Sequence, residues 1–169
     1  AEHLRGTVDG AARVVVAPLG VDRPLEPSDG RCDPTDRGPV VLTCSSAADV
    51  KRLGLVARSL ARAAESDPTR SWTWIHLGDG ADQIREELGD VPSNLTTELP
   101  GPVPRIEVFR CHRDRRPDAF VNLSSSEGVP LTIMEAMSMG TPVVATAAGG
   151  TGEIVDSDVG ALLPVDIDC

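Results

Sequence analysis

Short, unbroken apolar runs alternate along this chain with longer stretches of helical period, and that alternation limits the fold more than any other feature. Residues 40–44 (VVLTC), 72–77 (WTWIHL), 119–123 (AFVNL) and 143–146 (VVAT) lack the in-out polarity of strands that face water on one side. They read as strands buried on both faces. Residues 50–65 set Val50, Leu53, Val56, Leu60 and Ala64 on one helical face, with Arg52, Arg58, Arg62 and Glu65 largely elsewhere. Shorter helices are expected through Ile84 and Leu88, over 106–111 and over 131–139, with a single turn at 151–155. Weaker strands are expected at 13–17, 94–99 and 161–163. Strands alternating with helices build βαβ units, hence a parallel sheet covered on both faces and joined by right-handed crossovers. Ligands in such sheets sit beyond the carboxyl ends of the strands.

At 169 residues the chain is expected to form one domain over residues 13–169, preceded by a flexible segment, 1–12. A chain of this size buries about 70% of its unfolded surface, so a core forms without staples. Residues 22–39 carry four prolines and two glycines and read as an irregular connector. The net charge of −10 opposes a nucleic-acid or anionic-membrane partner, and an aromatic content of 2% leaves few platforms for base stacking. Cys32, Cys44, Cys111 and Cys169 share no CxxC spacing, so no zinc signature exists and reduced thiols are expected. The first ten residues hold no apolar segment, and no run of eighteen apolar residues occurs. Neither a signal peptide nor a membrane span is expected, which suits a cytoplasmic location.

Three segments that follow expected strands carry groups able to do chemistry. The first ends in Lys51 and Arg52 at the opening of a helix, and Lys51 is the single lysine among 16 basic residues. Unpaired N–H groups and a nearby cation suit a phosphate, although a solvated basic pair would look the same locally. The second, Gly78-Asp79-Gly80, lets backbone approach a ligand closely or serves only as a turn. The third spans residues 124–142 and is the densest: Glu127 precedes Pro130, Glu135 lies about one turn into a helix, and Gly140 ends it. Both carboxylates can face one crevice and accept hydrogen bonds from sugar or ribose hydroxyls. Thr132 and Glu135 also stand at capping-box spacing, which offers Glu135 a purely structural role.

Glu127 and Glu135, followed by GTPVVAT at 140–146 and by Gly149-Gly150 with Glu153-Ile154-Val155, resemble the donor-binding domain of retaining glycosyltransferases of the GT-B fold, the large family 4 known as glycosyl transferases group 1. The likeness extends in order through residues 18–22, 44–52, 78–80 and 160–164, nearly the whole chain. It implies a Rossmann-like three-layer α/β domain with a mostly parallel sheet, the carboxyl-terminal half of a GT-B fold. It further implies transfer of a sugar from a nucleotide diphosphate to an acceptor hydroxyl with retention, by front-face attack, without a metal or other cofactor. The donor would be a UDP-sugar or a GDP-sugar.

By this resemblance Glu127 would contact the transferred sugar and Lys51 the diphosphate, and these two are the catalytic candidates. The backbone of Gly128, Val129 and Pro130 would face the sugar or diphosphate, with Leu131 and Thr132 near the diphosphate at a helix amino end. Glu135 would hold the ribose hydroxyls, Gly78 and Asp79 would border the nucleotide, and Gly101 would approach the base. Many members carry an arginine five residues before the lysine; Ser46 occupies that position here, and Arg52 is the candidate substitute.

The family's acceptor-binding domain, with its glycine-rich loop and catalytic histidine, would precede residue 13 and is not recognisable here; His3, His76 and His112 read as structural or exposed. The isolated chain is therefore expected to bind the donor without transferring it, with an exposed interdomain face that favours self-association. In its full-length form the enzyme could lie peripheral to the membrane. An alternative is a non-catalytic sugar-nucleotide binding or regulatory module.

Overall fold

The computed structural model describes residues 19–22, 24–26 and 37–168. The expected strand at 13–17, the segment 1–12 and most of the connector lie outside the described residues. Six strands form one sheet: β1 (Val40–Ser45), β2 (Trp72–Gly78), β3 (Leu95–Gly101), β4 (Ala119–Asn122), β5 (Val143–Thr146) and β6 (Gly160–Leu163). Four α-helices connect them: α1 (Leu53–Ser66), α2 (Ala81–Leu88), α3 (Arg105–Arg115) and α4 (Leu131–Ser138). Short 3-10 turns cover Asp49–Lys51 and Gly149–Glu153. Every strand pair is parallel, in the order β3-β2-β1-β4-β5-β6. The chain thus winds outward from β1 to β3, returns, and winds the other way from β4 to β6. Among the described residues no helix is long and apolar enough to cross a membrane.

Alternate strand residues feed two cores, as the pleat requires. Val41 and Trp74 pack with Leu53, Val56, Leu60, Ile84 and Leu88 beneath α1 and α2. Val40, Leu42, Ile75 and Phe120 pack with Val108, Ile133 and Ala136 beneath α3 and α4. A buried polar chain crosses the first core. Trp74 Nε1 donates to Thr43 Oγ1 at 3.0 Å, Thr43 Oγ1 meets His76 Nδ1 at 2.8 Å, and His76 Nε2 meets the Asp79 carbonyl at 2.8 Å. His76 therefore pins the turn after β2 to the inside of the sheet. At Gly78, φ is 137° and a Cβ would fall 1.8 Å from the Ser45 carbonyl, so only glycine fits that crossing.

Several boundaries differ from the sequence expectation for physical reasons. Val50, expected on the buried face of α1, is 40% exposed. Arg52 adopts φ 48° and ψ 48°, which breaks the helical path and leaves Asp49–Lys51 as a separate turn. The strand expected at 94–99 runs on to Gly101 because Leu77 pairs with Gly101 across a register shift. The turn expected at 151–155 begins at Gly149 instead. Gly140 sits at φ 73° just past α4, as an αL helix terminator should.

His112 on α3 is buried, with Nδ1 2.8 Å from Thr141 Oγ1. Burial pulls its pKa down from 6.5 to about 4. Between those values the unfolded chain holds a proton that the folded chain does not, so stability rises with pH there. Conformational stability in urea should be complete above pH 6.5 and fall as pH drops toward 4, with His112 adding at most about 1.4 kcal/mol per pH unit. His112→Gln should flatten that slope; an unchanged slope would show that His112 does not stay neutral in the fold.

Candidate functional site

The sheet order reverses between β1 and β4, and the two strands are paired only at Val41–Ala119 and Leu42–Phe120. Beyond Leu42, β1 stays with β2 as far as Gly78. β1 and β4 part, and a small pocket opens between their carboxyl ends, lined by Cys44, Ser45, Lys51, Asn122 and Ser124 among others. This is the position at which doubly wound sheets bind their ligands.

Lys51, from the turn after β1, and Glu127, from the loop after β4, form an ion pair across this opening. Lys51 Nζ lies 2.6 Å from Glu127 Oε1, with the side chains 24% and 9% exposed. Asn122, the last residue of β4, donates to the same oxygen at 3.2 Å, and its own Oδ1 accepts the Ser124 N–H at 3.0 Å. Burial pushes the Glu127 carboxyl up, but the Lys51 ammonium and the surrounding polar donors outweigh it and hold the group below its ordinary value. The loop that carries Glu127 rests on the turn after β5. Gly150 N–H donates to the Gly128 carbonyl at 2.8 Å, and a Cβ on Gly149 would fall 1.8 Å from the Glu127 carbonyl.

Glu135 lies on α4 and is almost fully buried. Its capping-box role is not taken up: the residue before α4 is Pro130, with no side-chain cap, and Glu135 Oε1 instead accepts from Arg105 Nε at 2.5 Å. Burial first, and then the charge of Glu135, raise the Cys44 thiol to about 11, and the neighbours of Glu135 on α4, Ile133 and Ala136, pack in the same core as Cys44. The two glutamates thus have a separate cation each.

The remaining expected residues fall into two groups. Ser46, Asp79, Gly128, Val129 and Leu131 are exposed, while Thr132, Gly78 and Gly101 are half-buried and Pro130 is buried. Gly78 and Gly101 close β2 and β3, and the others lie in turns or a helix start that follow β1, β2 or β4. Arg52 is different: its guanidinium donates to the carbonyls of Leu123 at 2.5 Å, Val165 at 2.8 Å and Ser124 at 3.4 Å. It ties the end of β4 to the segment after β6 rather than facing the Glu127 carboxylate. Asn122 and Arg105 are not among the residues the sequence singles out. Asn122 hides at the end of an apolar run, and Arg105 is one of many arginines in the chain. Among the described residues no three His, Cys, Asp or Glu side chains gather in a manner suited to a metal ion.

Replacing Lys51 with methionine removes the charge that offsets the burial of Glu127. The Glu127 carboxyl, read by carboxyl-carbon NMR against pH, should then titrate above its present value. An unmoved titration would show that the ion pair is absent in solution.

A family model described as glycosyl transferases group 1 matches residues 38–168. D-inositol 3-phosphate glycosyltransferase of Frankia alni is 33% identical over 167 residues, covering 88% of this chain and 40% of that protein. Sulfoquinovosyl transferase SQD2 of Arabidopsis thaliana is 34% identical over 82 residues, covering 48% of this chain and 15% of the relative. The chain therefore spans less than half of either relative. In three dimensions it is similar to a mutant form of S. aureus TarM crystallised in complex with Fondaparinux, alpha-GlcNAc-glycerol and UDP. The TM-score is 0.74 at 20% identity, over 98% of this chain and 32% of TarM. The C-terminal domain of the group 1 glycosyl transferase LpcC from Francisella tularensis gives 0.66 at 21% identity, over 87% of this chain and 81% of that one. The parallel six-stranded sheet with helices on both faces is the Rossmann-like architecture of GT-B carboxyl-terminal domains. With its family match running from just before β1 to beyond β6, the chain belongs to the glycosyl transferases group 1 family.

Proposed function

We propose that this chain is the nucleotide-sugar donor-binding half of a retaining glycosyltransferase, and that transfer needs a second, acceptor-binding domain. The observation that carries the reading is the Lys51–Glu127 pair at the β1–β4 pocket that Lys51 lines, with Glu127 in the loop that leads into α4. A lone ammonium, with a helix amino end a few residues beyond its carboxylate partner, suits a diphosphate. The ammonium rests on Glu127 in the structure. With donor bound it would turn to the diphosphate and release Glu127 to accept hydrogen bonds from the sugar hydroxyls. As the glycosidic bond breaks, negative charge develops on the departing diphosphate, and Lys51 with the α4 amino end is set to stabilise it. Glu135, paired with Arg105, is set to accept the ribose hydroxyls, with Gly78, Asp79 and Gly101 bordering the nucleoside.

The UDP bound to TarM supports a nucleoside diphosphate as the ligand here. Three exposed apolar residues also fit the reading: Val50 at 40%, Val129 at 39% and Leu131 at 48% lie on the segments around the pocket, where a second domain would close. The Arg52 tie to backbone leaves Lys51 to carry the diphosphate charge, so donor affinity in the isolated chain should be modest.

Calorimetric titration with UDP, GDP and their sugars should give saturable binding to one nucleotide class. Lys51→Ala and Glu135→Ala should each weaken it by about tenfold or more. Transfer to water or added acceptors should be negligible for the chain alone. A folded chain that binds neither nucleotide would overturn the reading.

A further inference from the structure

Arg105 holds the carboxylate assigned to the ribose. It is the first residue of α3, four residues beyond Gly101, the end of β3. Its Nε donates to Glu135 Oε1 at 2.5 Å, and its guanidinium carbon lies 5.5 Å from the centre of the Phe109 ring, one turn along the same helix. The guanidinium is thus gripped on one face by the aromatic ring and on one edge by the carboxylate. The Arg105 side chain is still 54% exposed, whereas that of Glu135 is only 6% exposed. The pair therefore joins a buried anion to a cation with an open outer edge.

This arrangement leaves the carboxylate competent to bind. A carboxylate offers two oxygens and about four acceptor directions, and a single N–H from Arg105 takes one of them. The rest can receive a vicinal diol. A buried carboxylate stripped of its cation would have uncompensated charge and every reason to rotate toward water.

Resting on the reading that Glu135 receives the ribose, we propose that Arg105 is a positioning residue for nucleotide recognition. It stays on Glu135 Oε1 when the nucleotide enters and holds the carboxylate in the orientation that accepts the 2′- and 3′-hydroxyls. The opposite arrangement, in which Arg105 is a plug that the nucleotide must expel, predicts the opposite sign when the side chain is removed.

The test is a ligand–mutant cycle by calorimetry on the 169-residue chain, using UDP and GDP with their 2′,3′-dideoxy counterparts. Arg105→Ala should weaken binding of the better ribonucleotide about tenfold, the loss of one charge-assisted contact. It should leave the dideoxy nucleotide at the same affinity as in the unmodified chain. Arg105→Lys should restore part of the loss, because it returns the charge without the planar Nε edge. Thermal melting and circular dichroism of both variants establish that they fold. Equal weakening of ribo and dideoxy nucleotides would reduce Arg105 to a structural support and overturn the proposal. Tighter ribonucleotide binding by Arg105→Ala, or no change, would overturn it as well. In those cases the unmodified chain still binds, so the donor-site reading survives; failure of the unmodified chain to bind any nucleotide defeats both.

Discussion

Strands that all run the same way must return through crossovers, and the crossovers cover both faces of the sheet with helices. Only the strand ends are left for a ligand. Here α1 and α2 seal one face through Leu53, Val56 and Ile84, while α3 and α4 seal the other through Val108, Ile133 and Ala136. The reversal of winding then decides which strand ends matter. β1 and β4 are in register at two positions only, and past them the crossovers lead to opposite sides of the sheet. The gap is a product of topology, and the polar residues at its rim come from whatever turn follows each strand. Lys51 and Glu127 meet across 76 residues of sequence because each lies shortly after one of those two strands.

Charge at the site obeys a simple local rule: each buried carboxylate has a cation within hydrogen-bonding distance. Desolvation of a lone carboxylate costs several kcal/mol, which the fold cannot absorb against a net stability of roughly 5–15 kcal/mol. Glu127 has Lys51 and Asn122; Glu135 has Arg105. The two cations differ in a way that matters for ligand exchange. Lys51 is a flexible point charge that can move between oxygen partners, whereas the Arg105 guanidinium is planar and lies over the Phe109 ring. A mobile cation suits a diphosphate whose charge grows during reaction, and a fixed one suits a neutral diol.

Much of this was legible in the residues because it depended on local pattern. Continuous apolar runs marked four strands and the sense of the sheet, the single lysine stood out by rarity, and the glutamates were visible by their spacing around Pro130. What the sequence left open or misplaced shares a cause in long-range geometry. Nothing in the local sequence announces that Arg52 takes a left-handed conformation, since arginine lacks the freedom that a glycine there would have advertised. At that break Val50 is exposed and the Arg52 side chain reaches the carbonyls of Leu123, Ser124 and Val165. Likewise Thr132 and Glu135 have the spacing of a capping box, but a cation 30 positions away outcompetes a backbone N–H for the carboxylate. Partner choice of that kind is a property of packing and cannot be read from neighbours in the chain.

The turn after β5 illustrates how a site extends beyond its functional groups. Gly149 carries no side chain and is assigned no ligand contact, yet its Cα lies against the carbonyl of Glu127 with no space for a methyl group. Its φ of 53° is a second reason that other residues are strained there. The backbone of Glu127 is thus cast against the backbone of Gly149, as two halves of a mould. Drift at position 149 is closed to the chain for as long as position 127 must keep its place, and the freedom of the site to evolve is set partly by a residue with no chemistry of its own.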